Sequence, residues 1–250
     1  MLLILVLGYA FHLYYNPVGH LASLEGRNFA QFITTPLDRA MPFMPWFVLC
    51  YQLAYFAPTA TLLAAILTRR ADAPLVRRAL AAFLAMLYVQ YAIYLIFPVS
   101  ASALRVDPTT LGGGFLDRLI AYQYRIATPW NACPSLHVSA CWYFYRLFTL
   151  NFPRLRWAYL AWFAGMVVGT MAIKIHFALD TAAGLVIGAS AYRLFEHLTR
   201  RGSLAGVWPS TYGMAAFYLG SSALALLGLG ALIHAAGYDG PLYIVTGFGQ

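Results

Sequence analysis

Residues 130–140 read WNACPSLHVSA and stand directly before an apolar run. What such a Pro-Ser-Leu-His stretch means depends on what surrounds it. Of the 250 residues, 62% are hydrophobic and 10% charged, against roughly 25% charged in a soluble domain. The mean hydropathy is +0.68. These values describe an all-α integral membrane protein. No linker, low-complexity segment or internal repeat divides the chain, so residues 1–250 are read as one membrane domain. The three cysteines (Cys50, Cys133, Cys141) are odd in number and lack CxxC spacing, which suggests neither a disulfide framework nor a zinc cluster. The net charge of +8 is read as a topology signal and not as a nucleic-acid surface.

A membrane span needs about 20 mostly apolar residues. Trp46–Leu67, Ala79–Phe97, Leu136–Leu150, Trp157–Ile173, Phe177–Phe195 and Tyr212–His234 qualify as candidates. Met1–Tyr15 is shorter and lacks the basic and small-residue flanks of a signal peptide, so it is read as a short or tilted seventh span. Arg69, Arg70, Arg77 and Arg78 follow the Trp46–Leu67 span. Arg146, Arg154 and Arg156 flank Asn151, and Arg193, Arg200 and Arg201 follow Phe195. Ten of the sixteen Lys and Arg residues thus fall in three short alternate connections. The positive-inside rule assigns these to the cytoplasm, and puts the Pro98–Pro134 loop and the Lys174–His176 turn together on the far face.

Both polar constellations of the sequence fall on that face. In the first, Pro134 is expected at the first position of a helix, leaving the amides of Ser135, Leu136 and His137 without intrahelical partners. Free amides at a helix N-terminus form an anion site, with the Ser135 hydroxyl and the His137 imidazole beside them. The alternative is an ordinary helix start with a histidine facing water. The second constellation is Ile173–Gly184, IKIHFALDTAAG. His176 and Asp180 are four residues apart and share a helix face. A carboxylate there fixes the imidazole tautomer and leaves the other nitrogen nucleophilic, and Lys174 adds a cation. A purely structural His–Asp pair is the alternative, although ionisable residues at membrane depth are functional by default.

PSLH followed by HxxxD on the next outward turn resembles the second and third signature motifs of the type 2 phosphatidic acid phosphatase superfamily, over roughly residues 46–195. The resemblance implies a six-helix bundle as catalytic core, with Tyr212–His234 as one extra C-terminal transmembrane helix. It implies His176 as a nucleophile that becomes a phosphohistidine, Asp180 as its orienting carboxylate, and His137 as the acid and base for the leaving and incoming oxygens. Amides around Ser135 and Leu136 would cradle the phosphoryl oxygens. The donor would be a lipid phosphate or phospholipid and the acceptor a lipid alcohol or water, with no metal or organic cofactor.

Leucine in the usual glycine place resembles the inositol phosphorylceramide synthase branch, which moves a phosphorylated head group between lipids in sphingolipid metabolism. The family's first motif, KxxxxxxRP, reads here as Gln90, six residues, Phe97 and Pro98, and the SR that opens the third motif reads Gly169-Thr170. Three cations are therefore missing. Lys174 and Arg105, with Arg125 behind them, are the candidates to replace them. Because phosphoryl transfer leans on charge stabilisation, the loss points from a simple phosphatase towards a transferase of less charged phosphodiesters.

Two further readings stay open: a metal site built from His137, His176 and Asp180, and a transporter, for which no paired broken helices are found. A multi-pass protein of the plasma (inner) membrane is expected, and the Arg-rich segments put its site on the non-cytoplasmic face. Residues 16–45 are read as an outward segment, amphipathic in parts, with Leu21, Leu24, Phe32 and Ile33 interleaved with Glu25, Arg27 and Asp38.

Overall fold

Capping residues and prolines set the helix boundaries. The Asp72 carboxylate accepts the Leu75 amide at 2.8 Å and opens a helix with Pro74 in its first turn, where a missing N–H is tolerated. A 3₁₀ turn at Pro153–Leu155 separates the helices Leu136–Asn151 and Arg156–Ala172. Ser135, a favoured N-cap residue, accepts the Val138 amide at 3.3 Å. The computed structural model describes residues 15–201 apart from residue 17 and residues 69–71. The helices are α1 (residues 18–24), α2 (Ala30–Ile33), α3 (Pro36–Ala40), α4 (Val48–Leu67), α5 (Ala73–Ile96), α6 (Phe115–Ile126), α7 (Leu136–Asn151), α8 (Arg156–Ala172) and α9 (Ala178–Arg201). An isolated parallel bridge joins Val99 to Asn131.

Five of the expected spans coincide with α4, α5, α7, α8 and α9. The expected spans Met1–Tyr15 (apart from Tyr15) and Tyr212–His234 lie outside the described residues. Among the described residues one helix, α5, is long and apolar enough by itself to cross a membrane. The helices α7 and α8 have 16 and 17 residues, or about 24 and 26 Å at a rise of about 1.5 Å per residue.

Helix α7 is central and packs against α9, α8, α4 and α5. Its core-facing Leu136, Tyr143, Leu147 and Phe148 join Leu87, Tyr91 and Tyr94 of α5 and Phe195 of α9 in one apolar cluster. A second cluster links Val48 and Tyr51 of α4, Ile120 of α6, Val138 of α7 and Met166 of α8. The exterior is apolar as well: Phe56 and Leu67 on α4, Ile96 on α5 and Val186 on α9 are all exposed. The interior in turn holds Gln90, His137, Ser139, Thr170, His176 and Asp180. Apolar surface on this scale suits a lipid environment better than water.

The connections at one end of the bundle gather above α7. Residues 98–101 lie along residues 129–132, with Ala132 N–H donating to Val99 C=O and Ala101 N–H to Pro129 C=O. Residues 16–45 correct the expectation of an amphipathic interfacial strip at one position: Asp38 is buried. It closes a capping box with Thr35 and reaches α9, as described below.

The α7–α9 contact depends on two glycines one helical turn apart. A Cβ on Gly188 would stand 2.5 Å from the Ser139 carbonyl oxygen, and one on Gly184 would overlap the Ser135 carbonyl. Because the obstacles are backbone atoms, the helices would have to separate. Gly188→Ala and Gly184→Ala are each expected to lower stability by about 1–3 kcal/mol, read as an earlier thermal midpoint in detergent. An unchanged midpoint in both would show that the helices do not approach this closely.

Candidate active site

The α8–α9 turn presents His176. Its backbone is tied at every step: Ile173 N–H donates to Gly169 C=O, Lys174 N–H to Met171 C=O, and both Ile175 and His176 N–H groups to Thr170 C=O. Lys174 adopts a left-handed conformation with φ 58°, uncommon for a residue with a side chain. Tyr124 of α6 braces the turn from the side, its hydroxyl donating to the Ile173 carbonyl at 2.7 Å. The positions where the family motif carries SR are thus used here by backbone, through the carbonyls of Gly169 and Thr170.

The His176 side chain is buried, and its Nδ1 lies 3.1 Å from Asp180 Oδ1 and 3.1 Å from the Ala132 carbonyl oxygen. Both partners are acceptors, so Nδ1 carries the ring proton and Nε2 keeps its lone pair. The other Asp180 oxygen accepts the Phe177 amide at 2.8 Å. His176 Nε2 points towards His137 Nδ1 at 3.4 Å. Asp180 and His137 therefore address opposite nitrogens of one imidazole. A metal ion held jointly by all three would need them to converge, and they do not. Among the described residues no group of three His, Cys, Asp or Glu side chains is arranged to hold a metal ion.

A small cleft adjoins the two histidines, lined by Tyr15, Tyr51, Arg105 and Asn131 among others. Arg105 donates to the carbonyls of Tyr124 at 2.8 Å and Ala127 at 2.9 Å, and its guanidinium lies 5.0 Å from the Tyr124 ring centroid. Burial lowers the Arg105 pKa and raises that of Tyr124. An arginine stays cationic at neutral pH regardless, so the cleft holds a fixed positive charge. Burial, with the Asp180 carboxylate adding to it, pushes the Cys133 thiol up to about 12. Cys133 is therefore a thiol at neutral pH and no rival nucleophile.

The remaining expected site residues stand elsewhere. Lys174 turns its ammonium to the carbonyls of Asp38, at 3.0 Å, and Met41; it does not line the cleft. Ser135 and Leu136 are fully buried in helix packing. The expected free amide of Ser135 is corrected: it donates to the Asp180 carbonyl at 3.0 Å. The helix starts two residues later than expected, at Leu136, because Ser135 is its N-cap. Gln90, in the place of the motif's lysine, is buried and accepts the Ser139 hydroxyl at 3.0 Å, and Tyr94 donates to the Pro134 carbonyl at 2.8 Å. Those two α5 residues hold the start of α7 in place.

Several contacts of the site were not foreseen from sequence. Tyr51 of α4 reaches His137 Nε2 at 2.7 Å. Gln123 of α6 donates to the Tyr51 oxygen at 3.4 Å, and Gln52 donates to Gln123 at 3.2 Å. Asp38 accepts the Ala178 amide at 2.7 Å. The available signal was a pair of amide side chains and a tyrosine on otherwise apolar helix faces.

A family model described as the PAP2 superfamily matches residues 21–194, a stretch that includes every residue of this site apart from Tyr15. The chain belongs to the PAP2 superfamily. Members are phosphatases and phosphotransferases that act on lipid phosphates, and the family is membrane-associated. No match was found among curated proteins or among solved structures.

Within this PAP2 fold, Asp38 joins the α3 segment to the turn that carries His176. Asp38→Ala would strip acceptors from the Ala178 and Thr35 amides, at a cost of about 1–3 kcal/mol for each buried donor left unsatisfied. The expected outcome is a lower thermal midpoint with faster amide exchange at Thr35 and Ala178. Wild-type exchange at both positions would mean that the carboxylate does not join them.

Proposed function

We propose that this PAP2 protein is a multi-pass membrane phosphotransferase that moves a phosphorylated head group between lipids through a phosphohistidine on His176, in the manner of the inositol phosphorylceramide synthase branch. The carrying observation is the fixed state of His176. Its Nδ1 proton is held between Asp180 and the Ala132 carbonyl, leaving Nε2 as an unprotonated nucleophile beside an open cleft. In the first half-reaction Nε2 attacks phosphorus and the bond to the leaving oxygen breaks. His137, 3.4 Å from Nε2, protonates that oxygen and later takes the proton of the incoming hydroxyl. Asp180 stabilises the positive charge that grows on the His176 ring, which is how a buried carboxylate serves a histidine.

The choice of transferase over phosphatase rests on charge. Among the described residues Arg105 is the cation that lines the cleft, and its guanidinium is tied to two carbonyls. Lys174 is engaged with the α3 carbonyls. A phosphodiester, with one negative charge, asks less of such a site than a terminal phosphate with nearly two. The phosphatase reading, with water as acceptor, uses the same three residues. The proposed setting is the plasma (inner) membrane, with the cleft on the non-cytoplasmic face and the Arg-rich connections inside.

Purified protein given a panel of lipid phosphates and phospholipids, with and without lipid alcohols or ceramide, is expected to form new phospholipid only when an acceptor is present. Free phosphate without acceptor would mean a phosphatase. His176→Ala is expected to remain folded and to show no turnover; activity at the wild-type level would overturn the mechanism. Asp180→Asn is a finer test. The Phe177 amide requires an oxygen from residue 180, so the new NH₂ faces His176 Nδ1 and favours the proton on Nε2. Turnover should fall about 10⁴-fold, as in the wrong-tautomer variant of a Ser-His-Asp enzyme, and wild-type turnover would show that the carboxylate does not set the tautomer.

A further inference from the structure

The direction of hydrogen bonding can be followed through the site from its far side. Gln52 donates its amide to Gln123 Oε1 at 3.2 Å, and Gln123 donates its own amide to the Tyr51 oxygen at 3.4 Å. A phenol has one proton to give. With its oxygen accepting from Gln123, Tyr51 directs that proton to His137 Nε2, 2.7 Å away. Nε2 is then an acceptor, and neutral His137 carries its proton on Nδ1. That atom faces His176 Nε2 at 3.4 Å, itself an acceptor because the Nδ1 proton of His176 lies between Asp180 and Ala132. Every bond in the series from Gln52 to Asp180 has a donor matched to an acceptor. Reversing Tyr51 would break that match at Gln123.

We propose that Tyr51 is a positioning residue for the reaction. Its hydroxyl, aimed by Gln123, orients the His137 ring and tautomer so that Nδ1 exchanges protons with the transferring group while Nε2 never leaves its partner. This inference rests on the phosphohistidine reading above. In the first half-reaction the P–O bond to the leaving group breaks as the P–Nε2 bond to His176 forms, and the departing oxygen takes the Nδ1 proton of neutral His137 while Tyr51 passes its own proton to His137 Nε2. Neutral His137 then holds its proton on Nε2 and donates it to the Tyr51 oxygen. In the second half-reaction the His137 Nδ1 lone pair takes the proton of the entering hydroxyl as its oxygen bonds to phosphorus and the P–N bond breaks, and the Nε2 proton returns to Tyr51, which restores the resting state. A hydroxyl suits this place because it donates in the resting state and accepts in the others. A backbone carbonyl could only accept. The Tyr51 and His137 rings also pack with centroids 4.6 Å apart, so Tyr51→Phe removes the hydrogen bond while keeping the packing.

The direct test is ¹⁵N NMR of the full chain, labelled at histidine and held in lipid nanodiscs, with His137 assigned from a His137→Gln sample. Wild-type neutral His137 is expected to be protonated on Nδ1, and Tyr51→Phe is expected to lose that preference. Protonation on Nε2 in the resting wild type, or an unchanged His137 spectrum in Tyr51→Phe, would overturn the proposal. Kinetics supply a second readout with phosphatidate and p-nitrophenyl phosphate. The nitrophenolate leaves without protonation, so Tyr51→Phe should lower kcat on phosphatidate about 10²-fold, at the lower end of what a positioned acid contributes, with KM little changed. The single-turnover release of nitrophenolate, a first half-reaction that needs no acid, should fall much less. Equal losses on both substrates would reduce Tyr51 to a structural role. Failure of the underlying reading would look different, because His176→Ala would then still turn over.

Discussion

The site depends on one hydrogen-bonded imidazole. In the proposed mechanism His176 is a nucleophile only while its proton stays on Nδ1, and two acceptors from different parts of the chain hold it there. Asp180 comes from the first turn of α9, one helical step along, whereas Ala132 comes from the loop before α7. The geometry therefore requires α9 and that loop to keep their places to within a few tenths of an ångström. Much of the remaining structure serves that requirement. The Ser135 amide bonds the Asp180 carbonyl and joins the two helix starts. Lys174 and Asp38 bind the turn to α3, and Tyr124 braces it from α6. Buried polar groups in a low-dielectric interior are costly when unpaired and directional when paired, so this set both stabilises the turn and fixes its shape.

The distribution of polarity fits the family's association with membranes. Apolar side chains cover the outside of the bundle, and the polar ones concentrate around the start of α7. Close approach of α7 and α9 at Gly184 and Gly188 brings the Ser135–His137 and His176–Asp180 segments together. Small residues at such a contact let two helix backbones approach closely. Gln90 and Tyr94 then hold the Pro134 region from α5, where the wider family motif would bring a cation. In this chain those positions stabilise the helix start and contribute no charge.

Local patterns were readable in the sequence, and contacts between segments were not. The positions of α4, α5, α7, α8 and α9 follow from runs of apolar residues. The i,i+4 spacing announces the His176–Asp180 pair, and the arginine distribution brings His137 to the same end. Ser135 escaped because its amide partner is the carbonyl of a residue 45 positions away, and no helix-start rule foresees a donor used by another helix. Lys174 looked like a phosphate ligand because a lone lysine beside a histidine carries no mark of the carbonyls it will meet. Asp38 looked like the polar half of an amphipathic strip. Tyr51 and Gln123 lie on helices whose neighbouring residues are ordinary core, so only their polar atoms hinted at a function. In an apolar helix an isolated glutamine is the signal to follow: Gln52, Gln90 and Gln123 all sit in or beside this site.

The central claim is a covalent bond between phosphorus and His176 Nε2. Purified protein would be mixed with a phospholipid donor in the absence of acceptor, quenched in alkali and digested for mass spectrometry. The account predicts an acid-labile adduct of the transferred group on the peptide that contains His176, attached at Nε2 and absent from His176→Ala. An adduct on another residue, or full turnover with no adduct on His176, would contradict it.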